Sequence, residues 1–270
     1  MRAGLALFLH SARRARTLVL AAAALLAAFQ ILLAFAARSL QELNTFSGLT
    51  ALVPEFLRQL MGPSLLSLMS FRGVACLGYF HVAVVAFLVG LTIALATEPA
   101  GEAETRFLDL ILAHPLARHW VITRTIVLAA TCIAFLLGGM MSGTLVGLYW
   151  LVGGDLARET FHVVPRLALN LGLLLLSWSG IALALASIAR RRSVAAAIAA
   201  LLAMACYMTD LIAQAWKALK PVARYSPFHY YNSLVLITGS SDSTQDVLIL
   251  ATIAAAGFLL AYLLFYLRDL

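Results

Sequence analysis

The side chains able to do chemistry in this chain crowd into one stretch, from Glu98 to Trp120, where Glu98, Glu102, Glu104, Arg106, Asp109, His114, Arg118 and His119 follow one another closely. The reactions such residue types support are quickly narrowed. His114 and His119 stand five apart and straddle Pro115, a poor geometry for holding one metal. No glycine-rich phosphate loop of the Walker type occurs, so the chain does not bind and hydrolyse ATP by that route. No paired carboxylates, nucleophile elbow or zinc-ligand spacing appears anywhere, and the expectation is a protein with no catalytic residues and no cofactor or metal of its own.

What the stretch does support is an amphipathic helix. Pro99 is a reasonable stop for the helix before it, and Pro115 disfavours helical geometry at His114, so the expected helix runs from Gly101 to His114. On it Phe107, Leu108, Ile111 and Leu112 share one face, and Glu102, Arg106 and Asp109 share the opposite one. Glu102 and Arg106 stand four apart and Arg106 and Asp109 three apart, pairs worth about 0.2–0.5 kcal/mol each, so these charges need no ligand. Acidic residues suit an anionic membrane surface badly, which favours docking on a soluble partner over resting on lipid headgroups.

The elements that must position this helix are membrane spans. The chain has 270 residues, of which 63% are hydrophobic and 11% charged, a balance that water-soluble domains do not need. A span takes about 20 apolar residues. Six runs qualify: Thr17–Ala37, Val74–Thr97, Thr125–Val152, Phe161–Ala189, Ser193–Ala215 and Gln245–Leu267. The expected fold is therefore an all-α integral membrane protein, one domain over residues 1–270, with the Gly101–His114 helix between spans two and three. The net charge of +7 sits at span ends rather than in a patch, which argues for topology and against nucleic acid. With both termini cytoplasmic, the inner segments hold 11 of the 19 basic residues, the Arg190–Arg192 triplet among them, so that orientation is favoured.

Residues Met1–Arg16 read as a short interfacial helix before the chain turns into the first span, which is too long for a signal core and is expected to be retained. The loop from Arg38 to Gly73, with a short helix at Glu55–Met61, should lie along the outer surface. His81 in span two reads as a hydrogen-bonded packing residue. Gly139, Gly143 and Gly147 fall on one face of span three and should let another helix approach closely. Gly153–Thr160 reads as a short outer turn. Between spans five and six, Trp216, Tyr225, Phe228, Tyr230 and Tyr231 suit the outer headgroup level, and Leu234–Thr238 is far too short to cross. Cys76, Cys132 and Cys206 fall inside spans and imply no disulfide framework. No soluble domain is expected beyond either end, and the two halves show no repeat.

Glu98, Gly101, Glu102, Thr105, Leu108, Leu110, Ile111, Leu112, Pro115 and Arg118 together resemble the inner-loop signature of ABC-2 type transporter permeases, and the six-span layout with a long inner loop after span two is similar too. The sequence departs from that signature at Glu104 and Ala117, where the family commonly has glycine and serine or threonine. The resemblance implies a coupling helix, with Arg106 on its charged face, that inserts into a cleft of a separate ABC ATPase carrying the ATP and magnesium. It also implies pairing with a second permease copy, residence in the cell membrane and, by family analogy, export. The alternative reading is a membrane anchor or assembly factor whose inner loop recruits a soluble protein without transport.

Overall fold

In a computed structural model the protein is described over residues 2–43, 70–106, 119–238 and 244–267, and these residues form helices and short connections with no strand. The α-helices are α1 (Arg2–Glu42), α2 (Phe71–Ala75), α3 (Val82–Ala96), α4 (Glu98–Glu104), α5 (His119–Gly147), α6 (Gly154–Ile188), α7 (Arg192–Ala215), α8 (Lys220–Ala223), α9 (Ser233–Thr238) and α10 (Thr244–Tyr266). Among the described residues five helices are long and apolar enough to cross a membrane, or six if the bent pair α3 and α4 counts as one span. The chain is a multi-pass membrane protein. The Glu55–Met61 segment lies outside the described residues.

The sequence places a turn between an interfacial helix and the first span, but α1 is one continuous helix of 41 residues. No glycine or proline interrupts the chain from Leu5 to Glu42, and its alanine- and leucine-rich composition leaves nothing to break it. Span two departs from expectation in the other direction. The run Val74–Thr97 is divided into α2, a 3₁₀ turn at Leu77–Tyr79 and α3, because His81 takes an extended backbone that starts a new helix. With 15 residues at roughly 1.5 Å each, α3 alone falls short of a hydrocarbon core about 30 Å thick. The turn expected over Gly153–Thr160 is shorter, since Gly153 and Gly154 alone reverse the chain, with φ of 68° and 67° that favour glycine, and α6 starts at once. The last two spans, α7 and α10, follow the expected runs to within two residues.

Two close helix pairs organise the bundle. Gly139, Gly143 and Gly147 lie on the α5 face that meets α1, where a Cβ at Gly143 would stand 2.4 Å from the Ala27 carbonyl oxygen and one at Gly147 would stand 2.7 Å from the Ala34 Cβ. Helix backbones approach this closely only across small residues. The second pair joins α6 to α10 at Gly180 and Gly257, each filling the space a Cβ on the other would need. Ser177 Oγ, 2.8 Å from the Leu173 carbonyl and 2.9 Å from that of Leu250, adds a polar tie at the same crossing. The side chains that α6 buries, Leu167, Leu171, Leu174, Leu175 and Trp178 among them, form the centre of the core.

The two ends of the bundle differ in chemistry. One end gathers Arg14, Glu98, Glu102, Arg124 and Arg192; the other holds Arg38, Arg72, Glu159 and the aromatic segment from Trp216 to Tyr231. At that second end the Tyr231 hydroxyl donates to the Tyr79 carbonyl, Tyr79 Oη lies 3.1 Å from Thr144 Oγ1, and Phe228 packs between Trp178 and Tyr207. His81 meets the Phe29 ring edge-on, but it is exposed at the start of α3 and makes no side-chain hydrogen bond among the described residues, where one was expected.

Candidate functional site

The site is built around the hinge at Thr97. Helix α3 ends there, the Thr97 hydroxyl donating to the Ile93 carbonyl at 2.9 Å, and α4 leaves at 41° to it. Helix α3 stops ahead of Pro99, as the sequence suggests, and Pro99 itself sits in the first turn of α4, where its missing N–H is no loss. Glu98 in that turn places a carboxylate at the positive end of the helix dipole.

Helix α4 ends at Glu104, not near His114. The Thr105 hydroxyl donates to the Gly101 carbonyl at 3.0 Å, and Arg106 adopts a left-handed backbone with φ of 56°, so the expected continuous helix from Gly101 is broken at its second turn. Leu108, Leu110, Ile111, Leu112, Pro115 and Arg118, with Phe107, Asp109 and His114, lie outside the described residues. The break also ends the regular spacing that paired Glu102 with Arg106.

Glu102 turns inward instead. Its Oε2 accepts from Arg124 Nη2 at 2.7 Å, with side-chain exposures of 9% and 2%, which makes this the most buried ion pair among the described residues. Arg124 stands six residues into α5, so the pair fastens α4 to the start of the second long helix. Arg192 supplies a second fastening. Its backbone N–H donates to Glu104 Oε2 at 3.0 Å and its guanidinium donates to the Ala94 carbonyl at 2.8 Å, while its aliphatic stem crosses Gly101, where a Cβ would stand 3.0 Å from Cδ. Helix α4 is thus tied to α3 by the chain, to α5 by Arg124 and to α7 by Arg192. Ala100 completes the joint by packing on Ala186 and Ala195.

Glu98 is half-buried beside these arginines. Burial pushes its carboxyl above its ordinary value, against the pull of the Arg124 guanidinium; Glu102 adds to the rise, and Arg14 and Arg192 oppose it. A cavity of about 150 Å³ opens next to it, lined by Ser11, Arg14, Glu98 and Arg192 above Leu18 and Leu91.

The structure therefore gathers Glu98, Gly101, Glu102 and Thr105 of the expected coupling residues, and leaves Arg106 exposed at the strained end of α4. It adds Arg124 and Arg192. In the sequence both read as markers of membrane topology, and the usable signal was a lone arginine inside an apolar run opposite a nearby glutamate. Among the described residues no group of three metal-binding side chains converges, and the free cysteines are scattered. The arrangement ties the short helix α4 to its neighbours through the Glu102–Arg124 and Glu104–Arg192 contacts. Comparison of the chain with protein-family models, curated proteins and solved structures finds no match.

Proposed function

We propose that this chain is the membrane-spanning subunit of an ATP-driven ABC transporter of the ABC-2 type, an exporter that pairs with a second permease copy and receives its energy from a separate ATPase. The observation that carries the reading is the triple attachment of α4. A soluble subunit pressing on the segment after Glu104 moves a short helix whose buried Glu102–Arg124 pair and Arg192 clasp pass the displacement to α5 and α7 together. Breaking a buried ion pair costs about 3–5 kcal/mol, so the joint behaves as a stiff link. The loop signature from Glu98 to Arg118 and the set of apolar helices support the same reading.

In this mechanism the leucine-rich sequence around Leu108, Ile111 and Leu112 engages a cleft of the ATPase, and closure of the ATP-bound subunits rocks the bundles to open a path. ATP and magnesium belong to the partner. The test is purification of the full chain from its native membrane with a gentle detergent. An ABC-type ATPase co-elutes, with vanadate-sensitive ATP hydrolysis in the eluate, and Leu108→Asp with Leu112→Asp abolishes both. A chain that elutes without ATPase, or a variant that keeps it, contradicts the assignment.

A further inference from the structure

The end of the bundle opposite α4 holds a second cavity, about 550 Å³, beside the hairpin that joins α5 to α6. The last turn of α5 widens into a π turn at Leu148–Val152, a feature frequent at functional sites, and Gly153–Gly154 reverses the chain into α6. One side of this hairpin is fully engaged: Arg38 donates to the Leu151 carbonyl and Arg72 pairs with Glu159 at 3.2 Å. The other side faces the cavity. Asp155, Arg158 and His162 recur there at i, i+3 and i+7, hence on one face of α6, and no hydrogen bond or ion pair among the described residues occupies them.

The wall changes character along its length. Leu145, Leu148 and Phe161 make one part of it apolar, and Asp155 and Arg158 near the start of α6, with His162 next to Phe161, make another part polar. Tyr149 and Trp150 beside it are 76% and 79% exposed, an aromatic belt at the boundary between hydrocarbon and headgroups. A soluble anion has no use for the apolar half, and an acyl chain alone has none for the charged half.

We propose that this cavity is a binding site for a phospholipid with a zwitterionic, amine-bearing headgroup. Arg158, aided by His162, takes the phosphate, for which a guanidinium fork is well matched. Asp155 takes the ammonium; three residues apart on a helix, the two side chains start about 5–6 Å from each other, a spacing that suits the two charges of one headgroup. Leu145, Leu148 and Phe161 take the start of an acyl chain. The Asp155 carboxylate disfavours a headgroup that carries only negative charge.

The test is native mass spectrometry of the full chain released from detergent micelles containing phosphatidylethanolamine and phosphatidylglycerol of matched acyl chains. The wild type keeps phosphatidylethanolamine in preference to phosphatidylglycerol. Arg158→Gln lowers retention of both about tenfold or more, as loss of a charge-assisted hydrogen bond implies, and Arg158→Lys recovers part of it. Asp155→Asn keeps lipid but loses the preference. Both sites are exposed, and unchanged circular dichroism checks that the variants fold. Equal retention of the two lipids by the wild type, or undiminished retention by Arg158→Gln, overturns the proposal. Displacement of the lipid by soluble phosphoethanolamine overturns it too, since the apolar half of the cavity then contributes nothing.

Discussion

Glu102 and Arg124 are worth most of the attention at the scale of single residues. Removing either partner leaves an uncompensated buried charge, so Glu102→Leu or Arg124→Met alone should lower stability by about 3–5 kcal/mol, whereas the two together should recover most of that loss. Denaturant unfolding in detergent checks the non-additivity. Glu98 makes a separate prediction. Its carboxyl is raised in the folded protein, so the fold binds more protons than the unfolded chain across the range between the ordinary carboxylate value and the raised one, and stability falls as pH climbs through that range. Glu98→Gln should flatten this part of the thermal-midpoint profile; an unchanged slope would place its origin elsewhere. Sequence spacing could assign the glutamates to one loop, but not the direction in which Glu102 points. Its expected partner Arg106 assumes that helical periodicity runs on past Thr105, and a left-handed residue ends it there. Nothing in residue type announces that turn, because arginine is not a residue that favours it.

Helices show the same contrast between what periodicity reveals and what packing decides. Four-residue glycine spacing in α5 was enough to indicate a close contact, although the identity of α1 as the partner needed the fold. The α6–α10 crossing was illegible, since each helix brings one glycine and a single glycine has no period. Steric room separates the glycines of α5 clearly. Gly143→Ala forces a methyl group against the α1 backbone and should destabilise by about 1–3 kcal/mol, while Gly138→Ala, with nothing within 4 Å, should gain up to about 1 kcal/mol from helix propensity. Thermal midpoints of the two variants should therefore move in opposite directions. The break at His81 was hidden in an unbroken apolar run, because hydropathy measures the solvent a segment prefers and says little about where its backbone bends, whereas Glu98 and Pro99 marked the one at Thr97.

For the whole molecule, the division into two unlike ends matters most. Apolar runs and arginine placement made the multi-pass fold legible, and they also located the charged segment on which the functional reading rests. They did not reveal that this segment is bolted to three helices, which depends on contacts between residues far apart in the chain. Through that joint, motion imposed on α4 by an ATPase should move α5 and α7. The direct measurement is a spin-label distance between Phe135 on α5 and Leu201 on α7, both exposed, in the reconstituted transporter with its ATPase, taken without nucleotide and after ATP–vanadate trapping. The predicted result is a shifted distance distribution in the wild type and no shift in Glu102→Gln that still hydrolyses ATP. An unshifted wild type, or an equal shift in the variant, would contradict the claim that force passes through the Glu102–Arg124 pair.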